Sequence, residues 1–359
     1  MLLPKALGGD IIALIMKLQR RTFLTGMSAP LILGAANKSG SKKPVLGEDD
    51  HVYEVTHDWG ELPASIKYGN THGVCEDSQG RIYIHHTVNA ASESSDTMVV
   101  FDAQGKFIKS WGKDFKGGAH GLHIRKEGST EFLYLCDTKR ALVVKTTLDG
   151  EEVFTLGYPK QSEVYAKGNP DGTPLKYSPT NLAIAPNGDI YVGDGYGSSY
   201  VNQYDSKGEY IRTFGGPGKE AGQLSCPHGI ICDTRGSEPN LTVADRSNKR
   251  LQRFTLEGKH IDFIENLPAP CYFSIYKNGD VVIPDLFARV TLLDKNNRVI
   301  TQLGDDSTSD YMKTRKEPRD RFTAGKFVCP HGACFDHLGN IYVVEWVEVG
   351  RVSRLRKVA

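Results

Sequence analysis

Long apolar runs, an excess of charge of one sign and paired cysteine motifs are all scarce in this 359-residue chain. Beyond residue 36 no segment approaches the ~20 consecutive apolar residues of a membrane span, so none is expected there. The formal net charge is +1 with 24% of residues charged, which offers no basic face to nucleic acid. Seven cysteines are an odd number and no Cys-x-x-Cys spacing occurs, which argues against a disulfide scaffold, a redox pair and a zinc knuckle. Cys226 with Cys232, and Cys329 with Cys334, flank a His-Gly in equivalent places and are expected to pack as small apolar side chains. A sustained 3.6-residue apolar period is also missing, so helices should be few.

What the chain has instead is one pattern repeated six times. It begins Thr71-His72-Gly73-Val74, Ala119-His120-Gly121-Leu122, Pro179-Thr180-Asn181-Leu182, Pro227-His228-Gly229-Ile230, Pro270-Cys271-Tyr272-Phe273 and Pro330-His331-Gly332-Ala333. In each unit a first apolar run ends in a turn such as Pro186-Asn187-Gly188 or Lys277-Asn278-Gly279, where Gly supplies the positive φ of a tight hairpin. A second run follows, and in five units it leads into an acid: Asp137, Asp194, Asp245, Asp285 and Glu345; the first unit has His86 there. Third and fourth strands are separated by turns such as Asp205-Ser206-Lys207-Gly208. Equivalent positions recur every ~43–60 residues, close to the period of a four-stranded propeller blade. One blade cannot bury both faces of its sheet, so the six must stack as one all-β, six-bladed propeller over 51–359. The C-terminal run 351–358 makes only a third strand, and Val52-Tyr53-Glu54-Val55-Thr56 is expected to close the last blade.

Residues 1–36 stand outside that pattern. Gln19-Arg20-Arg21-Thr22-Phe23-Leu24 resembles a twin-arginine export signal, followed by a modest apolar stretch and the small residues Gly34, Ala35 and Ala36. That address implies a bacterial protein exported already folded to the periplasm or beyond. Residues 37–50, rich in Lys, Ser and Gly, read as a tether.

Arranged radially, the second residue of each repeat becomes a ring around one axis, holding His72, His120, Thr180, His228, Cys271 and His331. A single His-Gly at a strand start reads as a backbone cap. Four imidazoles in register read as a metal site, because neutral imidazole suits Zn²⁺ or a similar ion and three protein ligands leave a position open.

The stretch Ser178-Pro-Thr-Asn-Leu-Ala-Ile-Ala-Pro-Asn-Gly-Asp-Ile-Tyr-Val-Gly-Asp-Gly-Tyr196, with Pro227-His228-Gly229 and Val243-Ala244-Asp245-Arg246, resembles peptidyl-α-hydroxyglycine α-amidating lyase and its NHL-repeat relatives. The resemblance covers residues 70–359, with insertions around 88–98, 159–177 and 305–326. It implies a lyase that splits an α-hydroxyglycine peptide into peptide amide and glyoxylate. It makes His120, His228 and His331 the zinc ligands, Tyr196 the general base and Arg246 a contact of the substrate carboxylate. His72 is an additional imidazole, open to being a fourth ligand or a channel lining. The family's structural calcium would use the backbone carbonyls of Val74 and Leu122, but the family's aspartate is Gly332 here, which removes the only anionic ligand of that set. The family's second arginine is Thr87 here, and its bridging cysteines are Tyr177 and Gly197. The reading is a metal-dependent lyase acting on a small-molecule or peptide substrate, expected as a monomer. Its rivals are a lactonase-like hydrolase and a non-catalytic NHL propeller that binds a protein, glycan or cell-wall fragment.

Overall fold

The computed structural model describes residues 35–36 and 42–358. The twin-arginine motif and its apolar stretch through Gly34 lie outside the described residues, as do residues 37–41 of the expected tether.

Among the described residues six larger antiparallel sheets follow one another in sequence order, five of four strands and one of five, beside a two-stranded pair of Ala35–Ala36 with Lys42–Lys43. The innermost strands are Thr71–Glu76, Ala119–Glu127, Asn181–Ile184, Pro227–Asp233, Ser274–Ile275 and Pro330–Phe335. Each blade then runs outward through consecutive strands, as in Pro227–Asp233, Asn240–Asp245, Arg250–Phe254 and His260–Ile264 of the fourth. Among the described residues helix is limited to short turns such as Glu163–Lys167 and Tyr311–Thr314, both within insertions.

The middle strands of a blade are buried on both faces because each blade packs against two others, whereas outer strands such as Glu152–Leu156 stay partly exposed. The period-2 alternation of side chains therefore divides one strand between two cores. In Ile82–His86, Ile82 and Ile84 enter a cluster with Tyr342, Val344 and Val352 of the last blade, whereas Tyr83 enters one with Leu133, Leu135 and Val144 of the second. A cluster of this kind fills the boundary between every pair of adjacent blades.

The ring closes where the sequence places it. Tyr53–Thr56 pairs with Arg351–Lys357 in the register Leu355↔Val55 and Lys357↔Tyr53. Tyr53 and Val55 are 1% and 2% exposed against Val282, Leu292 and Leu355. A fully buried Val contributes about 1.5–3 kcal/mol, so this short strand fastens the two ends of the propeller together. The tether is a partial correction: Val45–Leu46 pairs with Tyr53 and Glu54 and adds a fifth strand to the last blade. Both side chains are buried, which a free linker would not allow.

The acids that follow the second strands hold the loops leading to the axis. Asp194 accepts from Ser178 N (2.6 Å), Asp245 from Ser225 N (2.7 Å), Asp285 from Ala269 N (3.1 Å) and Glu345 from Val328 N (2.7 Å). Each donor lies two or three residues before an axial position, so a buried carboxylate sets the path of the chain into the ring. Glu345 is also paired with the buried Arg351.

A titratable latch sits on the closing blade. His57 Nδ1 bonds Ser353 Oγ (2.7 Å), and Gly325 N donates to His57 Nε2 (3.0 Å). Burial, then the charge of Arg351, push the imidazole down to about 3 from 6.5. A depressed folded pKa means that the neutral form stabilises the fold fully above pH ~6.5, and that this contribution is lost as pH falls toward ~3. In EDTA, the gap in thermal midpoint between the native chain and His57→Gln should be widest above pH 6.5 and shrink on acidification. A gap independent of pH would contradict this.

Candidate metal centre

The axial histidines sit on bulges. In the first, second, fourth and sixth blades the register of the inner pair shifts at the His-Gly step, for example between Pro330↔Glu345 and Gly332↔Val344, or between Pro227↔Asp245 and Ile230↔Val243. An extra residue at that point takes the histidine out of strand alternation and turns its side chain toward the axis.

Three of the four rings are then fixed by the neighbouring blade. His120 Nδ1 donates to Thr180 O (2.6 Å), His228 Nδ1 to Cys271 O (2.8 Å) and His331 Nδ1 to His72 O (3.1 Å). Each acceptor is the axial residue of the next blade. A carbonyl only accepts, so Nδ1 carries the proton and Nε2 keeps its lone pair, the arrangement an imidazole ligand needs. These histidines come from the second, fourth and sixth blades, giving pseudo-threefold spacing around the axis.

The glycine after each histidine has a geometric cause. A Cβ on Gly121 would stand 2.6 Å from Thr180 O, on Gly229 2.5 Å from Cys271 O and on Gly332 2.5 Å from His72 O. Those are the oxygens that receive the imidazoles, so absence of a side chain lets the inner strands approach closely enough for the bond. The backbone-cap reading and the metal reading of His-Gly therefore describe two ends of one ring.

All four imidazoles are buried and in mutual contact. Ring centroids are 4.7 Å apart for His72–His120, 4.5 Å for His72–His331, 4.8 Å for His120–His228 and for His120–His331, and 4.7 Å for His228–His331. Burial pushes His120 down to about 3. It also holds His72, His228 and His331 well below the ordinary value, helped by the other imidazoles and, for His228 and His331, by Arg246. Neutral imidazoles in a dry cluster suit a borderline transition ion. His72 is held differently: its Nδ1 lies 3.3 Å from His331 Nε2, so it is the one ring without a backbone anchor among the bonds made here.

Donor atoms gather within 4.8 Å of one another in two overlapping sets, His72 with His120 and His331, and His228 with Cys271 and His331. Cys271 is a site residue that the sequence reading passed over, although it occupies the axial position of the fifth blade. Neither set contains a carboxylate. Val74 and Leu122 lie buried on the inner strands of the first and second blades, and the crowding at Gly332 leaves no room for the acid that a hard cation would need there.

Tyr196 reaches the same centre. Its hydroxyl donates to His228 Nε2 (3.0 Å) and lies 3.2 Å from His120 Nε2. Its loop follows the second strand of the third blade and is clamped by Asp194, which accepts from Ser178 N, Ser198 N (2.7 Å) and Tyr165 Oη (2.6 Å). Those two serines directly follow Tyr177 and Gly197, so a carboxylate joins the segments that a disulfide would join in the family. Burial pushes the Tyr196 phenol up to about 12, against the lowering effect of Arg246, whose guanidinium lies 5.4 Å from the ring centre.

Arg246 forms no ion pair among the described residues; Nη2 lies 3.2 Å from Cys226 Sγ and Nη1 3.9 Å from Cys271 Sγ. Cys226 is thus half-buried beside a cation rather than simple apolar packing, and all seven cysteines are free thiols. Thr87 N donates to Asn70 O, and the Asn70 side chain accepts from Arg315, so a guanidinium from the 305–326 insertion stands near the position lacking the family's arginine. A cleft of about 370 Å³ between the first two blades contains none of the axial residues.

The fold and site define a six-bladed propeller with a buried imidazole cluster on its axis. The chain is similar to the α-amidating lyases and other NHL-repeat proteins. It is 27% identical over 252 residues to peptidyl-glycine alpha-amidating monooxygenase A of Xenopus laevis, covering 62% of this chain and 25% of that protein. It is 28% identical over 247 residues to peptidyl-alpha-hydroxyglycine alpha-amidating lyase 1 of Drosophila melanogaster, covering 59% and 42%. The chain thus spans less than half the length of these curated relatives. No family model matches. Among solved structures, a streptogramin B lyase superposes with TM-score 0.55 at 14% identity, covering 85% of this chain and 97% of that one. A gluconolactonase from Xanthomonas campestris does so with TM-score 0.56 at 12% identity, covering 92% and 99%. At such identities the likeness is one of fold.

Gly229→Ala tests the strand approach behind the site. The added methyl should push Cys271 O away from His228 and weaken binding of a divalent transition metal by roughly 10–100-fold, the usual cost of losing a partner behind a ligand. Competition with a chromophoric chelator measures this; unchanged affinity in a folded variant would contradict it.

Proposed function

We propose that this protein is an exported, metal-dependent enzyme of the amidating-lyase type, cleaving the C–N bond of an α-hydroxyglycine-like carbinolamide. The observation that carries the reading is Tyr196, whose hydroxyl lies within 3.2 Å of two axial imidazoles while a half-buried guanidinium, without an ion pair among the described residues, lies over its ring. Zinc or another divalent transition ion held by His120, His228 and His331, with His72 available as a fourth ligand, would supply a Lewis acid that makes a carbinol hydroxyl more acidic.

The residues then divide the work. Arg246 holds the substrate carboxylate, which provides the anionic partner that this half-buried cation lacks among the described residues. Tyr196 as phenolate takes the carbinol proton; the C–O bond becomes C=O and the C–N electron pair leaves with nitrogen. Tyr196 returns the proton to that nitrogen, releasing an amide and a glyoxylate-type acid, so atoms and charge balance. Burial alone opposes the phenolate, so the step depends on the positive charge gathered at the axis. With Thr87 in place of a second arginine at the first blade, the carboxylate has one fixed cation, Arg246, to hold it. The twin-arginine-like segment would place this activity in the periplasm or outside the cell.

Glyoxylate release from an α-hydroxyglycine amide tests the reading. Tyr196→Phe should retain bound metal yet lower turnover by about 10²-fold or more. His228→Ala should lose both metal and activity. Equal rates for the native chain and Tyr196→Phe would remove the tyrosine from the mechanism.

A further inference from the structure

Cys271 stands where four other blades place a histidine, and its role is unaccounted for by a three-histidine site. It is fully buried, and its thiol has only one weak backbone partner, Ala269 O at 3.6 Å. Its Sγ shares a 4.8 Å neighbourhood with donor nitrogens of His228 and His331. Its own carbonyl is the oxygen that orients His228, so the same residue sets one ligand and presents a second. Arg246 Nη1 lies 3.9 Å from the sulfur and opposes the rise that burial imposes on the thiol.

We infer that the axial site binds its divalent transition ion through Cys271 Sγ together with His228 and His331, as a mixed thiolate–imidazole centre. The inference rests on the metal reading given above and exchanges His120 for Cys271 in its ligand set. On binding, the S–H bond breaks, a sulfur–metal bond forms and the thiol proton leaves to solvent, so loading releases one proton more than a purely imidazole site would. The thiolate contributes a formal negative charge that the histidine set lacks. It softens the site toward zinc, cobalt and copper and against magnesium and calcium. Arg246 then serves two anions at once, the thiolate within the protein and the carboxylate of the substrate. His120 and Tyr196, 3.2 Å apart, would then be free to contact the substrate.

Cobalt(II) gives the test. The full chain, without a His tag, is stripped with chelator, loaded with cobalt chloride and examined by absorption spectroscopy beside Cys271→Ser and Cys226→Ser. A near-ultraviolet sulfur-to-cobalt charge-transfer band should appear in the native chain and persist in Cys226→Ser. In Cys271→Ser that band should vanish while the visible ligand-field bands of histidine-bound cobalt remain. One cobalt bound per native chain with no sulfur band, or a band lost only in Cys226→Ser, would overturn the thiolate ligand while leaving a histidine metal site intact. No cobalt bound to the native chain would overturn both the thiolate and the metal reading. The native spectrum decides the matter even where a variant folds poorly.

Discussion

The site depends on one recurring bond, an imidazole Nδ1 of one blade donating to the axial carbonyl of the next. It ties blade to blade at the centre of the ring, where the inner strands are shortest of side chain. It also fixes which nitrogen keeps its lone pair. The bond forms only because glycine follows the histidine: at Gly121, Gly229 and Gly332 any Cβ would collide with the accepting oxygen. Bulges at the same steps re-aim the rings, and the acids Asp194, Asp245, Asp285 and Glu345 hold the loops that lead into them. Scaffold stability and ligand geometry are therefore one set of interactions, which is why few substitutions near the axis should affect one without the other.

Much of this is legible in the sequence because a propeller writes its architecture as a period. The six equivalent positions, the hairpin turns and closure by Tyr53–Thr56 follow from repetition and from counting strands in the last unit. The chemistry was legible where side chains are unambiguous, as for four histidines in register. It was less so at Cys271, since a buried cysteine in a repeat reads equally well as a small apolar filler, and only its distance to His228 and His331 brings the ligand reading into view. The strand Val45–Leu46 escaped because two residues carry no periodicity, and the Lys- and Ser-rich surroundings read as linker. The clamp of Asp194 on Ser178 and Ser198 joins residues 20 apart through a carboxylate that serves mainly structural ends in the other blades.

The departures from the amidating-lyase pattern all bear on charge. An acid is absent at Gly332, an arginine at Thr87 and a disulfide at Tyr177 and Gly197. In their places stand an extra imidazole at His72, a guanidinium delivered by the 305–326 insertion and a carboxylate clamp. The axial region stays buried and rich in uncharged donors, with Arg246 as its cation. Such a donor set suits a borderline metal better than a hard structural cation.

The central claim is that a transition ion belongs on the propeller axis. Anomalous diffraction from crystals of the mature, untagged protein, collected on both sides of the absorption edge of the metal found in solution, tests it directly. The account predicts one peak on the axis, within bonding distance of His331 Nε2 and present only above the edge. A well-ordered axis with no anomalous peak, in protein grown and purified with metal supplied, would contradict it and return the four imidazoles to the role of channel lining.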